Sequence, residues 1–127
     1  MKLQKITKES TVIEALQACR DLWIMTAQSE TPNKKPRGVS KLYRLGCPAC
    51  AYHELHSPET DCLVTCVMKN AWPGGCLLGG GGSLFVRWAS VGWFENNRRI
   101  RTAAWRIAHA AQDEIWRLRG REICANH

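Results

Sequence analysis

Residues 97–120 read NRRIRTAAWRIAHAAQDEIWRLRG, and this stretch decides the fold class. Ile100, Ala104, Ile107, Ala111, Ile115 and Leu118 recur at steps of three and four, which places them on one stripe of an α-helix. Asn96 or Asn97 has N-cap chemistry at one end, and Gly120 is a natural stop at the other. The spacing therefore predicts a long helix over 97–120. A second stripe runs beside the first: Arg98, Arg101, Trp105, His109, Gln112, Trp116 and Arg119 also follow helical steps. Arginine serves phosphate contacts, and tryptophan stacks on bases or fills a partner's pocket. The same two tryptophans could equally widen the buried face, and the sequence leaves both roles open.

Working back toward the N-terminus, Thr11 and Glu14 have the spacing of a capping box, and Val12, Leu16, Cys19 and Trp23 then recur at helical steps. A first helix is expected over 11–27. It ends at the breaker-rich stretch SETPNKKPRG, residues 29–38. The basic loop that follows, with Lys34, Lys35, Arg37, Lys41 and Arg44, is either a phosphate-binding segment or a solvated loop. Further on, Leu84, Phe85, Trp88 and Val91 suggest a short amphipathic helix packed on the core.

Between the two long helices the pattern changes. Residues 46–82 hold Pro48, Pro58 and Pro73 and seven of the ten glycines, so regular ladders alone cannot hold the segment together. The glycine run 79–82 reads as a connection, because no GK[ST] follows it to make a phosphate loop. Five of the seven cysteines lie in the same region. Cys47 and Cys50 have C-x2-C spacing, and Cys62 and Cys66 have C-x3-C spacing, which shares one face if the segment is helical. Cys76 is a fifth candidate. Four thiolates complete a closed tetrahedral site; all-sulfur ligation suits zinc or an iron–sulfur cluster, and of these structural zinc is the leading reading, with buried reduced cysteines acting as small hydrophobes as the plain alternative. Cys47, Cys50, Cys62, Cys66 and Cys76 are thus the candidate metal ligands, and which four of them bind stays open. His53 and His56 are unnecessary once four thiolates are available, and Cys19 and Cys124 read as core or exposed thiols. The expected architecture is mainly α: one helical domain over 1–127 with a cysteine-rich zinc-binding module, residues 46–78, between the N-terminal helix and the long C-terminal helix.

The chain's 127 residues fit a single domain and exclude a large multidomain enzyme. Its formal charge is +7, carried unevenly. Residues 1–46 and 97–127 contribute +5 and +4, whereas the cysteine-rich centre is −2. The positive ends favour an anionic or acidic partner. No stretch approaches the roughly 20 apolar residues of a membrane span. The segment MKLQKITKES at residues 1–10 lacks the apolar core of a signal peptide, so a cytoplasmic location is expected. There thiols stay reduced and clustered cysteines favour metal over disulfides. Nothing singles out a nucleophilic cysteine with its base, and the H-x-E followed by P-C-x-x-C pattern of zinc deaminases is absent, so no enzyme activity is expected.

The order of Leu22-Trp23, a Pro/Lys loop, CPAC with Tyr52 close behind, a second cysteine pair, Trp72-Pro73 before Cys76, then Trp88 and an Arg- and Ala-rich last helix resembles a group of small cysteine-rich bacteriophage proteins. The resemblance covers about residues 11–119, and its specific part is the cysteine–tryptophan framework. It implies a zinc knuckle between helices and a phage origin, with the host cell's cytoplasm as the place of action, and it implies no reaction. The second cysteine pair departs from the group's C-x2-C, which leaves the third and fourth ligands open.

The combined expectation is a zinc-stabilised accessory protein that binds nucleic acid or a host nucleic-acid-handling complex. The candidate contacts are Arg98, Arg101, Trp105, His109, Trp116 and Arg119 on the last helix, with Lys34, Lys35 and Arg37 from the basic loop. The alternative is a protein–protein inhibitor of a host defence system that makes no nucleic-acid contact. Neither reading involves a membrane or a small-molecule substrate.

Overall fold

The structure, a computed structural model, describes residues 3–43, 46–60, 66–70, 85, 88, 89 and 97–125. Among them the chain is mainly helical, with no strand, and four helices are defined: α1 Val12–Gln28, α2 Val39–Leu42, α3 Pro48–His56 and α4 Asn97–Ala125. The glycine run 79–82, Leu84, Val91, Asn96, Cys62 and Cys76 lie outside the described residues.

α1 starts where the capping box requires. The Thr11 hydroxyl accepts from the Glu14 N–H at 3.1 Å, and the Glu14 carboxylate accepts from the Thr11 N–H at 3.0 Å, so two otherwise unpaired amides are satisfied. Its inward stripe buries Leu16, Cys19, Leu22, Trp23, Thr26 and small alanines between them. The buried Thr26 hydroxyl donates to Leu22 O at 2.8 Å, so no polar group is left unpaired by its burial.

α4 is the longest element, with 29 residues. Ile100, Ala104, Ile107, Ala111 and Ile115 are buried, as the periodicity predicts. Asn97 is its first helical residue, and the helix runs five residues past Gly120, where the sequence suggested a stop. A helical glycine costs only about 1 kcal/mol relative to alanine. The good helix formers Arg119, Arg121 and Glu122 around Gly120 carry the helix across it.

Side-chain contacts fix how the two long helices meet. Arg20 donates to the Gln112 side chain at 2.8 Å, whereas Arg101 reaches the carbonyls of Ala27 and Ser29, each at 2.8 Å. Higher numbers on α1 face lower numbers on α4, so the pair is antiparallel. Their facing stripes form the main core, and α3 packs on α1 from another side.

Trp23 is the hub of the second layer. Its ring meets Trp88 edge-on at 4.8 Å and Phe85 at 6.1 Å. Trp88 is itself buried, and its indole N–H donates to Pro32 O at 2.9 Å, drawing the loop after α1 over the core. The N-terminal strap is tied down by the Tyr43 hydroxyl, which donates to Gln4 O, and by Gln4 donating to Glu14 at 3.0 Å.

Candidate functional site

Two regions hold the residues that the sequence singled out: a thiol cluster between α1 and α3, and the outer face of α4.

CPAC does not form an isolated turn. It opens α3, with Cys47 as the N-cap and Pro48 in the first turn, where the missing N–H of proline is not needed. Cys47, Cys50 and Cys66 are half-buried, and Cys19 on α1 is fully buried; none of the four is in a disulfide. The Cys47 sulfur is hydrogen-bonded to the thiols of both Cys19 and Cys50, and Cys66 is close enough to act electrostatically on Cys19. Those two hydrogen bonds hold the Cys47 thiol well below its ordinary range, aided by the Lys35 ammonium. The same contact with Cys47, followed by burial, pushes the Cys19 thiol well above it. Tyr43, close by, is pushed up to about 12, first by burial and then by the negative character of Cys19, Asp21 and Cys47.

Cys66 stands outside any helix at the start of a turn, with its carbonyl accepting from the Lys69 N–H at 3.0 Å. The expected helical face shared with Cys62 therefore has no helix at its Cys66 end. Among the described residues no group of three or more His, Cys, Asp or Glu side chains is already arranged around a common point to hold a metal ion. The thiols are instead linked pairwise through Cys47.

Lys35 is turned inward. Its ammonium donates to Gly46 O at 3.0 Å and lies 5.7 Å from the Trp23 ring and 5.4 Å from the Phe85 ring. Gly46 has φ +68, and a Cβ there would meet the Lys35 ammonium at 3.5 Å, so glycine supplies both the left-handed turn and the room for this contact. Lys34 and Arg37, by contrast, are exposed. Lys41, on α2, is exposed as well, and Arg44 lies outside the described residues, so the described part of the basic loop divides into one lysine used by the fold and three cations facing solvent.

The arginine–tryptophan stripe of α4 lies along the edge of the buried face, and its members have separate fates. Arg98, His109, Trp116 and Arg119 are exposed, whereas Trp105 is half-buried against the core. Arg101 caps the C-terminal end of α1 through Ala27 O and Ser29 O, where a cation also meets the negative end of the helix dipole. Trp116 is 62% exposed, the most exposed large apolar side chain among the described residues. Between Arg98 and Trp116 runs a shallow depression lined by Thr102, Trp105, Arg106, His109, Ala110 and Asp113. Arg106, which the sequence stripe left out, is exposed there. The Trp105 and His109 rings meet edge-on at 6.1 Å and floor this groove. Farther round the helix, Arg117 pairs with Glu114, which also accepts from Asn70 at 2.9 Å.

Cys19, which the sequence placed among the core or exposed thiols, is a buried core residue of α1. Arg106 was legible as an arginine but not as part of the exposed groove.

Compared with known proteins, the chain matches no family model, no curated protein and no solved structure. No helix among the described residues is long and apolar enough to cross a membrane. Fold and site together define a small helical protein with thiols between α1 and α3 and a basic, aromatic outer face on its longest helix.

Proposed function

We propose that this is a zinc-stabilised accessory protein of the phage type, whose α4 outer face binds nucleic acid or a host complex that carries it. The observation that supports this reading best is Trp116, 62% exposed, on the same helix face as Arg98 and His109 and one turn before the exposed Arg119. Leaving a large apolar side chain in water forgoes about 1.5–3 kcal/mol of burial, and an exposed ring on a face that also carries arginines suits stacking on a base. Arg98 and Trp116 are 18 residues apart on one helix (116 − 98), or about 27 Å, a length that spans several nucleotides. Lys34 and Arg37 add exposed charge from the loop after α1. Arg101, Lys35 and Trp105 have a supporting part in this reading, since each is engaged with the fold. The cysteines act as a structural staple and do not react.

The test is a titration of short single- and double-stranded DNA and RNA at increasing salt. Phosphate contacts require affinity to fall steeply as salt rises. Trp116→Ala is expected to weaken binding about tenfold, within the range for a stacked base. The double variant Arg98→Glu and Arg106→Glu is expected to abolish it. If no nucleic acid binds even at low salt, the reading fails and the protein–protein inhibitor of a host defence system takes its place, with the same face meeting a protein partner.

A further inference from the structure

We infer that the outer face of α4 takes single-stranded nucleic acid with its bases turned toward the helix, and that Asp113 selects guanine among them. Resting on the nucleic-acid reading above, this assignment adds the form of strand and the base it favours. Asp113 is exposed on the arginine-bearing face, one turn after His109 and one turn before Trp116. It makes no ion pair among the described residues, and the arginine one turn further on, Arg117, is paired with Glu114. A carboxylate on a surface made only for phosphates would repel its ligand. Its presence here is accounted for if the backbone of the strand lies over Arg98 and Arg106, both exposed on this face, and the bases come to Asp113. Base edges carry the N–H donors of a nucleic acid.

Stacking and edge recognition meet at Trp116. Residues three apart on a helix are surface neighbours, with roughly 5–6 Å between their Cβ atoms, so a base lying on the Trp116 ring brings its edge to the Asp113 carboxylate. Asp113 and the small Ala110 also line the adjoining depression, whose volume is about 490 Å³, within the roughly 300–1,000 Å³ of sites that hold small ligands. In a duplex both faces of each base are covered by its neighbours, so an exposed ring finds an open π-face on an unpaired strand. A carboxylate is an acceptor with two oxygens. Guanine matches both of them, because N1–H and the N2 amino group are adjacent donors on one edge. Adenine and cytosine place a ring-nitrogen acceptor beside their amino group, and thymine and uracil place a carbonyl on each side of their N–H. Those acceptors would face the carboxylate with repulsion.

Fluorescence anisotropy of the full-length protein with short labelled thymidine strands at low salt tests the assignment. The strands carry at their centre guanine, adenine, or hypoxanthine, which is guanine without the N2 amino group, and the guanine strand is also offered as a duplex. The guanine strand is expected to bind about tenfold more tightly than the hypoxanthine strand, within the range for a bidentate contact to a base. The duplex is expected to bind more weakly than the strand. Asp113→Ala should bring the guanine and hypoxanthine strands to one affinity and leave the all-thymidine strand bound as well as before or better. Asp113 is exposed and alanine is the best helix former, so the variant keeps the fold, and a merely structural aspartate would change every strand alike. If wild type does not favour guanine, if Asp113→Ala keeps the preference, or if the duplex binds as tightly as the strand, the assignment is wrong while the nucleic-acid reading survives. If no strand and no duplex binds, both fail.

Discussion

Replacing Arg101 by leucine separates a structural arginine from a binding one. Arg101 lies on the same sequence stripe as Arg98 and Trp116, yet its Nη1 donates to Ala27 O and Ser29 O at 2.8 Å each. Those carbonyls are at the C-terminal end of α1, so the guanidinium closes the α1–α4 pair at the point where the chain leaves the first helix. A hydrogen bond from a charged donor contributes about 1.5–3 kcal/mol, and a cation at a helix C-terminus about 0.3–1 kcal/mol more. Arg101 is half-buried, so water can take over part of both roles. The expected loss is therefore about 2–3 kcal/mol rather than the full sum. For a domain of this size that lowers the melting temperature by roughly 8–12 °C. Urea unfolding followed by circular dichroism gives the free energy, and nucleic-acid affinity of the folded variant is measured alongside. Leucine keeps much of the apolar stem, so the change isolates the head group. A loss below about 0.5 kcal/mol, in the range of an ordinary surface change, would refute the structural role. So would an affinity loss equal to that of Arg98→Glu with stability intact.

Four further outcomes follow from the same structure. Gly120→Ala is expected to raise stability by about 1 kcal/mol, because Gly120 is helical and a Cβ there meets nothing within 4 Å. Gly38→Ala is expected to lower stability by about 1 kcal/mol, because Gly38 has φ +84 at the start of α2 and an L side chain is strained there; thermal melts of the pair decide both. Thr11→Ala, which removes the capping-box hydroxyl, should cost about 1 kcal/mol in denaturant unfolding. The Glu114 carboxyl is held below its ordinary value, chiefly by the Arg117 hydrogen bond, with Asn70 adding to it. Its contribution to stability is thus full above the ordinary carboxylate range and is lost as pH falls through that range to the folded-state value. Glu114→Gln should flatten this part of the stability–pH curve, and a carboxyl titration by NMR that finds no lowering would contradict the assignment.

The helices were legible because their information is local. The Thr11 and Glu14 capping box marks the start of α1, and the isoleucine–alanine stripe marks the buried face of α4, since both depend on residues within a turn of each other. Gly120 was misread as a stop because the cost of one glycine is small against the helix formers around it. α3 was hidden by the prolines and cysteines near it, although Pro48 in a first turn and the alanines that follow are a helix signal in themselves.

The sequence by itself determined the helical class, the two long helices and their buried stripes, and the separation of basic ends from a cysteine-rich centre. The tertiary structure alone decided which members of a pattern face what. It turned Arg101 and Lys35 inward onto backbone carbonyls and left Trp116 and Arg106 in solvent. It also brought Cys19 from the core of α1 against Cys47. Helical periodicity is a property of neighbours along the chain, whereas a thiol pair 28 residues apart exists only after α3 has packed on α1. The charge carried by a side chain is written in the sequence. Whether that charge is spent on the fold or offered to a partner depends on the antiparallel register of α1 and α4.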